Sequence, residues 1–282
     1  MEMRVSTEWL AQNLHEDDLV VLDASLHLPS AERDAAAEFA AAHIPGARFL
    51  NLAKLHDPAS SMPGKIPDAS SFEMRLSELG VGNGARIVLY DDSALRTACR
   101  AWFLLQLFGI ERLTVLDGGL GKWRKEGRLL IEAHDRPARG DISCGDPNRA
   151  ALRTKADMLG NIASGTEQVV DARDAERFAG TVEDHVHGLP GGHIPNACSL
   201  PFPQLLHEDG TFRPSGELRA AFEAAGIDIT QPVVTTCGSG VTASVLAFAL
   251  QLIGASDVAL YDGSWAEWGA DPDTPKMKGV AS

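Results

Sequence analysis

The sequence predicts an α/β fold of two tandem domains, each a mostly parallel sheet with helices on both faces. Two observations carry this prediction. A set of landmarks recurs in the same order at a nearly constant offset, the mark of a duplicated unit. Within each copy, short apolar runs alternate with helical patterns, as they do when strands of a parallel sheet are joined by crossover helices. The chain of 282 residues, 44% of them hydrophobic, is long enough for two modest cores.

The repeat can be followed element by element. "VVLDAS" from Val20 returns as "VVDAR" from Val169, and "AAHIPGARFLNL" from Ala41 as "GGHIPNACSLPF" from Gly191. "LFGIERLTVLDGGLGKW" from Leu107 returns as "LIGASDVALYDGSWAEW" from Leu252. His43 to His193 is a step of 150, and Trp123 to Trp268 a step of 145. The expected domains are therefore 1–136 and 149–282, joined by a polar linker over 137–148. In the first copy "DLVVLDA", "RIVLYDD" and "RLTVLDG" read as buried strands; "EQVVDAR", "PVVTTCG" and "DVALYDG" match them in the second. "SSFEMRLSELG" and "SGELRAAFEAAG" begin at Ser and end at Gly, as capped helices do.

Composition narrows the function. The net charge is -14 and the Lys and Arg residues are scattered, which argues against a nucleic-acid partner. An anionic substrate would need a locally positive pocket. The N-terminus has neither the basic start nor the apolar run of a signal peptide, and no apolar stretch reaches the roughly 20 residues of a membrane span. The four cysteines, Cys99, Cys144, Cys198 and Cys237, show no CxxC and no regular spacing. A disulfide scaffold or zinc ribbon is not supported, and the expectation is a cytoplasmic protein with reduced thiols and no metal or organic cofactor.

Cys237 stands apart. It follows the strand "PVVTT" and precedes Gly238, Ser239 and Gly240, with a helix expected from near Val241 or Thr242. Ligand sites in parallel sheets lie at such carboxyl ends of strands. Moved back by 145, Cys237 falls on Asp92, and Gly238-Ser239-Gly240 on Ser93-Ala94-Leu95. Packing needs are shared between the copies, so a thiol and glycines found in one copy alone point to chemistry there. Glycines let peptide N–H groups turn inward as a ring, and the helix adds its positive end. Such surroundings lower a thiol pKa from about 8.5 to roughly 3.5–7.5. The competing reading is a buried cysteine packed beside a tight turn.

Three chemistries use such a thiol. A Cys-based phosphatase requires Arg six residues on, where this chain has Ala243. A papain-like site requires a paired His, for which no local signature exists. A ring of N–H groups suits instead a thiolate that attacks a sulfane sulfur and holds it as a persulfide.

The duplicated "HIP", "LDGG" with Trp123, "YDGSW" with Trp268 and the loop from Cys237 to Ala243 together resemble the rhodanese superfamily, and more narrowly its two-domain sulfurtransferases. The resemblance covers nearly the whole chain. It implies a non-catalytic N-terminal and a catalytic C-terminal domain. The loop "CGSGVT", from Cys237 through Gly238, Ser239, Gly240 and Val241 to Thr242, is similar to that of the 3-mercaptopyruvate branch. Thiosulfate-preferring relatives usually carry a Cys-Arg-Lys-Gly loop. The resemblance implies Cys237 as the persulfide carrier and Ser239 as a hydroxyl for the transferring sulfur or the substrate carbonyl. In "DARDAERFAG" it implies Arg177 as the clamp on the donor carboxylate, with Arg173 nearby as a structural residue. Implied acceptors are a thiol, cyanide or a thioredoxin-like protein; alternatives are thiosulfate as donor, or a persulfide carrier serving a protein partner.

The chain departs from that pattern twice. Where the branch usually has a second Arg, this sequence has Val186 between His185 and His187. Where the branch tends to have an Asp and a His after the first "HIPGA", it has Ala53 and Gly64, with His56, Asp57 or Lys65 as possible substitutes.

The remaining candidates read as structural. His43 and His193 recur in both copies, including the one without the thiol. Trp123 and Trp268 recur as core anchors, and Trp265, absent from the first copy and a candidate to border the pocket, reads as packing. Cys99, Cys144 and Cys198 read as bystander thiols, and "DRPARGD" as a solvated linker.

Overall fold

The computed structural model describes residues 1–55, 66–132 and 137–279. Two compact units divide the chain, with the main boundary between Asn148 and Arg149. The first holds strands β1 (Arg4–Val5), β2 (Leu19–Asp23), β3 (Arg48–Phe49), β4 (Arg86–Tyr90) and β5 (Leu113–Leu116) in the order β1-β5-β4-β2-β3. The second holds β6 (Leu152–Arg153), β7 (Gln168–Asp171), β8 (Ala197–Ser199), β9 (Val233–Thr236) and β10 (Val258–Tyr261) in the order β6-β10-β9-β7-β8. Every paired strand is parallel.

The three inner strands of each sheet are the runs read from sequence. They are apolar without alternation because helices cover both faces, and Ile87, Val88, Leu89 and Tyr90 are fully buried. The outer strands are only two or three residues long, too short to register a pattern. After each central strand comes a ten-residue helix, Ala98–Leu107 after β4 and Ala243–Leu252 after β9. The second begins one or two residues later than expected.

Helix caps differ in detail from the expected Ser starts. Helix Ala69–Glu78 is capped by Asp68, whose carboxylate accepts from the Ser71 amide, and helix Ser215–Ala224 follows Pro214. The stretch 137–148, expected as a polar linker, is largely exposed but tied down by hydrogen bonds. Gly140 exchanges hydrogen bonds with Ser77, and the Ile142 amide donates to the Val81 carbonyl. Asn83 Nδ2 donates to the Asp141 carbonyl at 2.6 Å. The turn after helix Ala69–Glu78 exposes backbone groups, and this stretch satisfies them.

His43 and His193 take matching structural places. Nδ1 of His43 bonds the Phe39 carbonyl and its ring stacks on Phe39; Nδ1 of His193 does the same with Phe178. Trp123 and Trp268 are buried, their Nε1 groups donating to the Leu129 and Pro275 carbonyls. No helix of the described residues is long and apolar enough to cross a membrane.

Candidate active site

Cys237 lies immediately past β9, the central strand of the second sheet, between the ends of β10 and β7. Its side chain is buried, and the loop from Gly238 to Thr242 turns over it into helix Ala243–Leu252. Gly240 takes φ +79°, a conformation that disfavours residues with a β-carbon.

The loop is held from one side by the segment after β10. The Trp265 and Ala266 amides donate to the Cys237 and Gly238 carbonyls at 3.0 and 2.8 Å. Across a trans peptide C=O and N–H point opposite ways, so the Gly238 and Ser239 amides face away from that segment. Among the described residues, the amides of Gly238, Ser239, Val241 and Thr242 donate to no protein acceptor. The ring is not complete, however. The Cys237 and Gly240 amides are turned to Ser264 Oγ, at 3.3 and 3.1 Å, and that hydroxyl donates to the Tyr261 carbonyl.

Ser264 is the residue that sequence reasoning missed. It is fully buried and sits at φ +51°, in the left-handed region costly for a residue with a β-carbon. The first copy has Gly119 at the matching position, with φ +58°. The signal was present in "LDGGL" against "YDGSW": a serine where the backbone prefers glycine is kept for its hydroxyl.

The cations lie on the "DARDAERF" side. Arg173 is 1% exposed, its Nε and Nη2 on the Asp171 carboxylate and Nη2 also on the Gly192 carbonyl. Its guanidinium lies over the Trp265 ring, 4.6 Å from the centroid. Burial alone would lower its pKa, but Asp171, Asp184 and the Cys237 sulfur outweigh it and raise the pKa. Arg173 is thus spent on its structural partners. Trp265 is core, its Nε1 donating to the Pro190 carbonyl at 3.0 Å.

Arg177 is partly exposed, at 23%. Its Nε donates to Asp174, and Nη1 to Asp184 Oδ1 at 3.4 Å. Nη2 has no protein partner among the described residues. Asp184 is fully buried and gathers three basic groups: Arg177, Arg173 at 3.6 Å, and His187 Nδ1 at 3.0 Å. Burial pushes its pKa up, but the His187 hydrogen bond and the charges of His187, Arg177 and Arg173 hold it down at about 2.

The segment with Val186 in place of the expected arginine comes to the loop by a different residue. Val186 and His185 point to solvent, while His187 packs on Gly238. A β-carbon built on Gly238 would lie 2.2 Å from His187 Cε1 and 3.0 Å from Nε2. A side chain at 238 would therefore have to push aside the imidazole laid over it. Ser239, Val241 and Thr242 are half-buried, and Ser239 Oγ has no protein partner among the described residues. The substitutes considered for the missing Asp and His, His56, Asp57 and Lys65, lie outside the described residues, as does Gly64; Ala53, at the other departing position, is exposed. The four cysteines form no disulfide, and burial raises the thiol pKa of Cys99, Cys198 and Cys144, the last to about 11.

Comparison with known proteins identifies the family and the fold. A model of the Rhodanese-like domain matches residues 6–126 and 154–271. The chain is 36% identical over 272 residues to 3-mercaptopyruvate sulfurtransferase of Escherichia coli K12, covering 96% of each. It is 39% identical over 279 residues to bovine thiosulfate sulfurtransferase, covering 96% of this chain and 93% of that one. The crystal structure of SseA from E. coli, a 3-mercaptopyruvate enzyme, superposes with a TM-score of 0.85 at 34% identity, over 94% of this chain and 99% of that one.

Proposed function

The chain belongs to the rhodanese family, and from that premise we propose that it is a sulfurtransferase working through a persulfide on Cys237. The thiolate attacks the sulfur of 3-mercaptopyruvate, pyruvate departs, and the outer sulfur is then taken by a thiol or cyanide. The observation that carries this reading is the set of unspent amides at Gly238, Ser239, Val241 and Thr242 in the loop that follows the buried Cys237. An anionic outer sulfur gains most from preorganised donors in a dry site. Arg177, with Nη2 unspent, is the clamp for the donor carboxylate, and Ser239 offers its hydroxyl to the transferring sulfur or the keto oxygen.

Mercaptopyruvate is favoured because Gly238 and Ser239 bring no charge to the loop, whereas a dianion such as thiosulfate calls for cations there. Thiosulfate is the second reading, supported by the likeness to the bovine thiosulfate enzyme. The division of labour follows the domain boundaries expected from sequence, with 1–136 non-catalytic and 149–282 catalytic. A thioredoxin-like protein in a reducing cytoplasm is the acceptor that fits a thiol-dependent second half-reaction.

The test is intact-mass analysis after exposure to each donor. Wild type should gain about 32 Da, one sulfur atom, and Cys237→Ser should gain nothing. Side-by-side kcat/KM for mercaptopyruvate and thiosulfate then ranks the donors. A wild-type chain that takes sulfur from neither donor overturns the reading.

A further inference from the structure

The loop glycine after the cysteine is covered by a histidine with a buried acid behind it, and no step described so far uses that pair. His187 Nδ1 lies 3.0 Å from Asp184 Oδ1. Asp184 is fully buried and also faces Arg173 and Arg177, so it stays a carboxylate and accepts from Nδ1–H. That fixes the tautomer. Nε2 then becomes the nitrogen with a proton to take or give. Nε2 has no protein partner among the described residues, and it lies at the face of Gly238, next to the sulfur-bearing residue. His185, two residues earlier, is exposed and has no such support.

Transfer from mercaptopyruvate moves a proton as well as a sulfur. When Cys237 Sγ attacks, an S–S bond forms and the donor's C–S bond breaks. The electron pair of that bond passes to the carbon, leaving the enolate of pyruvate. The donor thiol brings a proton that an anionic persulfide does not keep, and the enolate carbon lacks one. A single imidazole can carry that proton from sulfur to carbon, so thiolate plus mercaptopyruvate gives persulfide anion plus pyruvate, with no outside acid, base or oxidant.

We infer that His187, oriented by Asp184 over Gly238, is a catalytic residue of the donor half-reaction: Nε2 accepts the thiol proton of the donor and returns it to the enolate carbon. This rests on the persulfide reading of Cys237. It also gives position 238 a second meaning. Any larger residue there would displace the imidazole, so the uncharged loop and the proton relay belong together.

The relay separates donors by their chemistry. Thiosulfate and inorganic tetrasulfide bring no proton on the transferred sulfur and leave no carbon to protonate. His187→Asn keeps a donor for Asp184 and removes Nε2. Its kcat with mercaptopyruvate should fall at least about a hundredfold, the scale of general acid–base catalysis. The loss with thiosulfate, or with tetrasulfide where thiosulfate turns over too slowly, should be at least about tenfold smaller. Added imidazole should restore part of the mercaptopyruvate rate in His187→Ala. Should the Asn variant fail to fold, His187→Gln is read in the same way.

Equal losses with both kinds of donor would make His187 a structural residue and overturn the assignment, as would a change in KM alone. The failure of the underlying reading is distinct: it is wild-type protein that gains no sulfur from any donor.

Discussion

The two units build the same strand, loop and helix, and they treat the loop amides in opposite ways. In the first, Asp91 at the end of β4 turns its own carboxylate into the loop. It accepts from the Ser93 amide at 2.9 Å and from the Ala98 amide, at the start of the following helix, at 2.7 Å. The Asp92 amide goes to Ser25 Oγ. In the second, the residue matching Asp91 is Thr236, which has no charge, and four loop amides keep no protein acceptor among the described residues. One copy supplies the anion from its own chain; the other leaves the place for an anion that chemistry brings. Arg33 and Arg124 beside a cavity of about 330 Å³ in the first unit are paired to Asp92, as Arg177 in the second is to Asp174 and Asp184. On the proposed reading, the two copies differ in which anion the shared loop is built to hold, beyond the presence of a thiol.

Breaking the second loop should have the largest effect. Cys237→Ser should reduce turnover by at least about three orders of magnitude, as loss of a nucleophile does, and remove the mass gain. Next comes the clamp. Arg177→Ala should raise KM for mercaptopyruvate about 10- to 100-fold, the worth of a charge-assisted hydrogen bond, and raise it less for an uncharged donor. An equal rise for both would remove its role.

Ser264 tests the loop's other support. Ser264→Ala should lower turnover roughly tenfold, because the Cys237 and Gly240 amides lose their acceptor. Ser264→Gly, the residue of the first copy, loses the same acceptor but relieves the positive φ. It should melt above the Ala variant, by a difference of about 1 kcal/mol.

The first loop should respond in stability and not in turnover. Burial raises the Asp91 pKa to about 6, against the pull of the Ala98 and Ser93 amides and Arg96. An acid that holds its proton more tightly when folded stabilises most below its unfolded value of about 4. That contribution is lost as pH rises through about 6, on the order of 3 kcal/mol. Asp91→Asn should flatten the stability of the first unit across this window in urea unfolding. Asp184 has the opposite sign: its lowered pKa stabilises above about 4, and that contribution is lost as pH falls towards about 2. Last, Asp92→Cys should gain no sulfur, because Asp91 still occupies the loop amides.

Much of this could be read from residues alone. The strand runs around Val20, Ile87, Val169 and Val234 announce themselves because a strand buried on both faces must be apolar throughout. The repeat located Cys237, because the same backbone carried a thiol in one copy and an acid in the other. The edge strands escaped notice, since Arg4–Val5 and Leu152–Arg153 are too short for any period. The stretch 137–148 reads as a polar linker and is largely exposed, but its backbone hydrogen bonds to the turn after helix Ala69–Glu78 leave no mark in its residues.

Sequence by itself determined the duplicated parallel-sheet architecture and singled out the glycine-flanked loop with its lone thiol as the candidate, since these follow from local pattern and internal comparison. Only the tertiary structure decided that Ser264 anchors that loop, that Asp184 gathers Arg173, Arg177 and His187, and that His187 rather than His185 covers Gly238. The Ser264 and His187 contacts join residues more than twenty positions apart, and the Asp184 cluster, though local in sequence, depends on a loop whose path no helical or strand period sets. Side-chain direction at such distances is set by packing, which no local run of residues encodes.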